Sequence, residues 1–170
     1  TQHFARVSLL GVWDTVDAVG LPFKLADFWN SVVWRFKFKT TTPSSIVEKG
    51  CHALAMNDDR ASFEPVLWDE TASSVRERVE QVWFAGAHSN VGGGYPRQGM
   101  SLVTLDWMMT KAERQGLRLS AFARDQYRSQ HAFADKLYSP RAGFGIFYRW
   151  KPRNVTRLCA EKGIAVPSLH

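Results

Sequence analysis

Apolar and polar positions alternate between two kinds of pattern along the chain. Residues 5–13 read Ala-Arg-Val-Ser-Leu-Leu-Gly-Val-Trp and stop at Asp14, a β-rich run that fits a strand buried on both faces of a parallel sheet. A second such run covers 79–85, with Val82, Trp83 and Phe84 at its heart, and leads into Gly86-Ala87-His88. Between them, 21–38 carries Leu25, Phe28, Trp29, Val32, Val33 and Phe36 at spacings of three and four, which predicts a helix. Ser45 followed by Glu48 has the form of a capping box and predicts another helix over 46–56. A third helix is expected over 101–115, with Leu102, Leu105, Met108, Met109 and Ala112 on one face and Gly116 as its stop. Beyond it, 119–136 has helical character, 139–150 reads as irregular or extended, and 155–170 shows no clear termination. No repeat, low-complexity segment or linker interrupts the pattern. The expectation is one α/β unit over 1–170, a mostly parallel sheet flanked by helices.

Composition narrows the function classes. The 170 residues are 45% apolar and 22% charged, which argues against disorder, collagen-like repeats and coiled coil. Charge breaks every apolar stretch well before the 18 or more residues that a membrane span needs. Neither a signal-peptide pattern nor a Met opens the chain, which begins at Thr1 on strand-like residues, so a piece of a longer protein is expected. Lys plus Arg outnumber Asp plus Glu by 22 to 16, a net charge of +6 that favours anionic partners. The cations are scattered, densest at Arg35, Lys37, Lys39 and at Arg149, Lys151, Arg153, and no nucleic-acid module is present. Nucleic acid is therefore not an expected partner. Cys51 and Cys159 lack metal-site spacing and exclude a disulfide scaffold, leaving at most one bridge.

Chemistry in open parallel sheets gathers at the carboxyl ends of strands. Here the two clearest strands end beside Asp14 and His88. A carboxylate that orients an imidazole, which then takes a proton from a hydroxyl, is the supporting pair of a serine hydrolase. The order Asp then His, on successive strand ends, fits the α/β-hydrolase arrangement downstream of its nucleophile. Asp58 and Asp59 are rival carboxylates, but Arg60 beside them favours a structural ion pair. Asp14, Asp17 and His88 can be imagined around a divalent metal, without any recognised ligand spacing. His3, His52, His131 and His170 have no motif beside them and read as packing or surface residues. Gly92, Gly93 and Gly94 allow a close backbone approach or positive φ, and are expected to position His88, with amides near the substrate but not in direct contact with it, or else to form a tight strand-to-helix turn.

Two segments are distinctive together: Gly-Val-Trp-Asp-Thr-Val at 11–16 and Trp-Phe-Ala-Gly-Ala-His-Ser-Asn-Val-Gly-Gly-Gly-Tyr at 83–95. With His52-Ala-Leu-Ala-Met-Asn-Asp-Asp-Arg60, then Phe63, Pro65 and Trp68, they resemble the hydrolase-like family once labelled DUF2235, which includes type VI secretion phospholipase effectors of the Tle1 class. The helix bearing Leu105, Trp107, Met108 and Ala112 also follows that pattern, and the likeness thins beyond about residue 119. The resemblance implies that Asp14 is the triad acid and His88 the triad base. It further implies a nucleophilic serine in an upstream Gly-x-Ser-x-Gly elbow, and no such motif occurs in these 170 residues. An acid and a base without a hydroxyl cannot run covalent acyl transfer. The expected reading is therefore the carboxyl-terminal part of a longer catalytic domain.

The function expected is a share in ester hydrolysis, of phospholipid or another lipid, with no cofactor and no metal. The resemblance implies a secretion-system partner and a secreted effector, cytoplasmic as synthesised. The basic, aromatic stretch 21–39 has the character of an element that touches a membrane surface or covers a lipid site, or of an ordinary core helix. Two alternatives stand beside the main reading: a non-catalytic binding or scaffold module with a hydrolase-like core, and a metal-dependent phosphoesterase.

Overall fold

The computed structural model describes residues 5–16, 40–141 and 148–170. At its centre are four parallel strands in the order β1 (Val7–Trp13), β2 (Val47–Ala55), β3 (Val79–Phe84) and β4 (Ser168–Leu169). Around them lie α1 (Ser73–Arg76), α2 (His88–Gly92), α3 (Gly99–Arg114), α4 (Ala121–Gln130) and α5 (Val155–Ala160). The α/β class and the parallel sheet expected from the two apolar runs are both present. The stretch 21–39, with its expected membrane contact, lies outside the described residues, as do His3 and Asp17. None of the described helices is long and apolar enough to cross a membrane.

The clearest departure from the sequence pattern is 46–56, which is the central strand β2 and not a helix. Its ladder runs to β1 on one side, Gly11 opposite Cys51 and Trp13 opposite Ala53, and to β3 on the other, Ala53 opposite Val82 and Ala55 opposite Phe84. Residues 50–55 are all buried, so both backbone edges and both faces find partners. Tertiary pairing thereby overrides the helix preference of an alanine-containing run. The short side chains are what the centre of this sheet requires. A Cβ at Gly50 would stand 2.9 Å from the Trp68 ring, and one at Gly11 would stand 2.7 Å from the Met108 sulfur.

Alternate residues feed two cores, as the two-residue period of a strand dictates. One face packs Ala53, Ala55, Val82 and Phe84 against Val91 and Val103, with Trp13 and Trp107 at its margin. The other packs Leu54 and Trp83 against Leu67, Leu158 and Cys159. Both cysteines are buried and free. Helix α3 buries Leu102, Met108 and Ala112 of the expected face, but its buried side is turned toward Met100, Val103 and Thr104, leaving Leu105 and Met109 half-buried; its end follows expectation. Gly116 turns at φ 90° while Leu117 N–H returns to the Ala112 carbonyl at 3.0 Å. The tail 155–170, unreadable in the sequence, supplies α5 to the second core and β4 to the sheet edge.

The turn that delivers His88 is built around one glycine. Gly86 has φ 114°, donates its N–H to Asn57 Oδ1 at 2.8 Å, and takes the Asn57 N–H at 2.9 Å. A Cβ there would lie 2.5 Å from Asn90 Cβ, whereas one at Gly93, at φ 89°, would meet nothing nearer than Ser101 Oγ at 4.0 Å. Gly86→Ala should therefore cost about 2–4 kcal/mol, backbone strain and overlap together, against about 1–2 kcal/mol for Gly93→Ala. Urea denaturation of the two variants measures this. Equal losses would mean that the overlap at Gly86 is relieved at no cost.

Candidate active site

Asp14 ends β1 in a left-handed conformation, φ 39°, the one described non-glycine residue with positive φ. Asp tolerates that region better than most side chains, and strain of this kind concentrates at functional sites. The turn is held from several sides. Asp14 N–H reaches the Ala53 carbonyl at 2.7 Å, Thr15 N–H reaches His52 Nε2 at 3.2 Å, and Val66 N–H reaches the Thr15 carbonyl at 2.8 Å. His88 opens α2 just beyond β3. Its N–H goes to Asp58 Oδ2 at 3.1 Å, and Asn90 Oδ1 accepts the Ala87 N–H at 3.2 Å.

The two side chains meet: His88 Nδ1 lies 2.7 Å from Asp14 Oδ2. They stand on the first and third strands rather than on adjacent ones, because β2 intervenes. The carboxylate crosses the end of that strand, where Asp14 Oδ1 accepts the Ala55 N–H at 2.9 Å. Asp14 is fully buried while the His88 side chain is 30% exposed. Against an ionised carboxylate the imidazole proton sits on Nδ1, which leaves the Nε2 lone pair available. No hydrogen bond to Nε2 is made among the described residues. The edge of Phe63 packs on the ring, centroids 5.3 Å apart, and the Arg60 guanidinium lies 3.5 Å over the Phe63 ring.

Arg153 completes the cluster, and the sequence shows it only as one of several scattered cations. Its guanidinium grips Asp14 in a fork, Nη1 to Oδ1 at 2.7 Å and Nη2 to Oδ2 at 2.8 Å, and also donates to the carbonyls of Ala55 and Phe63. Burial alone would raise the Asp14 carboxyl. The hydrogen bonds from His88 and Arg153, the Arg153 charge and the Ala55 amide outweigh it and hold the group down at about 2. Asp58 forms the ion pair with Arg60 that the sequence implied, at 2.6 Å, and in addition anchors the His88 backbone. Asp59 instead accepts a pair of bonds from Arg141 on the surface.

His52 does more than pack. It is fully buried in β2, takes the Thr15 N–H on Nε2, and faces Gln81 Oε1 with Nδ1 at 3.4 Å. Burial drives it below its ordinary value, to about 4, only partly offset by the Asp14 charge and the Gln81 bond. The glycines close the loop after His88: Gly92 ends α2, and Gly93 and Gly94 turn the chain at φ 89° and 111°. Beside them lies a cavity of about 300 Å³ lined by Trp13, Val91, Gly92, Gly93, Gln98, Ser101, Leu102 and Leu105. Among the described residues no three His, Cys, Asp or Glu side chains gather as metal ligands do.

Comparison with protein families finds a match over residues 1–111 to the family described as T6SS, phospholipase effector Tle1-like, catalytic domain. The match covers more than half of the chain, and the chain belongs to this family. Neither the curated proteins nor the solved structures contain a match. Asp14, His52, Asp58 and His88 fall inside the matched region; Arg153 falls outside it.

Two of the buried, shifted groups, His52 and Asp14, give stability a pH signature. His52 is depressed in the folded protein, so the unfolded chain binds the extra proton, and stability falls as pH drops from about 6.5 to about 4. Asp14, also depressed, adds a second loss as pH falls from about 3.8 to about 2. The upper window should span about 3 kcal/mol. Denaturation curves across pH 2–7 should show both, and His52→Gln should remove most of the upper loss while leaving the lower one in place. A His52→Gln profile parallel to the wild type would place the upper loss on another group.

Proposed function

We propose that this Tle1-like chain supplies the acid and base of a Ser-Asp-His site that cleaves ester bonds in phospholipids. The observation that carries the reading is the 2.7 Å contact between His88 Nδ1 and a buried, ionised Asp14, at the carboxyl end of a parallel sheet. Phospholipase action is the family's; the roles of the two residues are our assignment. In this reading a serine Oγ from an upstream elbow attacks the ester carbonyl carbon as His88 Nε2 takes its proton. When the tetrahedral intermediate collapses, the carbon–oxygen bond to the alcohol breaks and Nε2 returns the proton to the departing oxygen. Water then repeats the sequence on the acyl-enzyme and frees the fatty acid. Asp14 keeps the ring in the Nδ1–H form throughout and balances the imidazolium charge.

The free edge of β1 among the described strands is where an upstream strand would bring the serine to the same rim. The cavity beside Trp13 and Leu105 offers apolar walls to an acyl chain. Gly92, Gly93 and Gly94 serve in this reading as the loop that sets α2, and with it His88. The whole chain 1–170 acts as one α/β-hydrolase-like piece of the catalytic domain. Delivery through the secretion system and action as a secreted effector follow the family. A metal-dependent reading asks Asp14 to ligate an ion, yet both of its oxygens are already engaged by His88, Arg153 and Ala55. A second reading, a scaffold without chemistry, draws on the absence of Gly-x-Ser-x-Gly from these residues.

The test uses the full-length protein on phosphatidylcholine vesicles and on a p-nitrophenyl acyl ester. His88→Ala and Asp14→Asn should each lower kcat by about 10³–10⁴-fold, with chelator leaving the wild type unchanged. Vesicle binding without hydrolysis in the wild type would favour the scaffold. Activity that survives both substitutions would overturn the triad assignment.

A further inference from the structure

Arg153 stands out among the groups that acyl transfer does not require. It is a cation with 2% side-chain exposure, delivered from the segment just before α5, nearly 140 positions along the chain from the carboxylate it holds. Arginine in a fork fixes the plane of a carboxylate, which a lysine cannot do. Here the plane decides function, because only one rotation of Asp14 turns Oδ2 toward His88 Nδ1 while Oδ1 meets the Ala55 amide. With two Arg153 bonds, one His88 bond and one amide bond, the carboxylate has four donors around its two oxygens and no lone pair left over. The same cation also cancels much of the negative charge that reaches the imidazole.

We propose that Arg153 is the positioning residue of the Asp14–His88 pair. It locks the carboxylate so that His88 keeps its proton on Nδ1, and it limits how strongly that carboxylate draws a second proton onto the ring. The proposal rests on the Asp–His reading given above and adds to it a part for the segment beyond the family match. Among the described residues the neighbouring charged or titratable groups have other partners. Asp58 meets the backbone N–H of His88 and is itself paired with Arg60; Arg60 is separated from the ring by Phe63. Tyr148 packs edge-on against Phe63, and His52 meets the Thr15 amide on the far side of the turn. Among the described residues none of these hydrogen-bonds to the Asp14 carboxylate, whereas Arg153 bonds both of its oxygens.

Nitrogen-15 NMR of the His88 ring in the full-length protein reads the effect without any need for turnover. In the wild type one tautomer, Nδ1–H, should dominate above the ring's titration. Arg153→Met should mix the tautomers and move the pH midpoint of the ring upward by about one unit, because a nearby cation is removed. Arg153→Lys, which keeps the charge without the fork, should mix the tautomers and leave the midpoint close to wild type. Should Arg153→Met fail to fold, Asp14→Asn/Arg153→Met compared with Asp14→Asn provides the same upward shift, since neither change leaves an unpaired carboxylate. Wild-type tautomer and midpoint in the Arg153 variants would overturn the proposal, provided Asp14→Asn alters them. If Asp14→Asn alters neither, it is the Asp14–His88 reading that fails.

Discussion

Everything at the carboxyl rim of this sheet is arranged around one buried carboxylate. Asp14 is stripped of water entirely, which on its own would cost several kcal/mol for an ionised group. Four donors from three distant stretches replace that water: the end of β2, the start of α2 and the segment before α5. The fold is thus tied together at the point where its chemistry is proposed. Removing any one donor does not merely delete a bond; it leaves charge in a place that cannot hydrate it. The strained φ of Asp14 belongs to the same arrangement, since the left-handed turn is what aims the carboxylate across the end of β2.

The central strand explains why donors from three stretches can converge there. β2 is made of small residues on the face toward α3, so that helix can approach the sheet and its neighbour α2 can present His88 level with Asp14. Its C-terminal amides then lie directly beneath the carboxylate. Turn residues at the ends of β2 and β3 hydrogen-bond each other through Asn57 and Gly86, which sets the two loops to a common height. His52, neutral in the middle of β2, holds the Thr15 amide from below. A protonated ring at that position could not accept this bond, so neutrality and the shape of the Asp14 turn are one requirement.

Legibility in the sequence followed the locality of the signal. β1 and β3 were readable because fully buried parallel strands leave uninterrupted apolar runs, and α3 because its amphipathic face is long and ends on a glycine. Asp14 and His88 were readable because each directly follows such a run. β2 misled because Ser45 and Glu48 mimic a cap, while its burial on both faces depends on neighbours that no local pattern encodes. β4 is two residues long and exists only through pairing with β3. Arg153 left no trace at all: an arginine amid other cations looks solvated until the chain folds back over Asp14. Long-range charge pairing has no sequence period, which is why Asp14 and His88 could be singled out from the sequence and the arginine that grips Asp14 could not.

That counterion changes how the pair must be understood. A lone Asp–His couple is negatively charged at rest and neutral once the imidazole accepts a proton. With Arg153 attached, the trio is neutral at rest and carries a single positive charge when His88 is protonated. A neutral resting cluster is far cheaper to keep in a water-poor site, and it gives an anionic lipid no repulsion from the buried acid. The same cation makes the imidazolium less favourable, so ground-state integrity is gained against transition-state stabilisation. An enzyme can accept that exchange only if other groups, such as the amide donors of an oxyanion site, carry more of the developing charge. On the proposed triad reading, the Asp14–His88–Arg153 trio holds one tautomer in one place, and stabilising the charge on the substrate carbonyl falls to other donors.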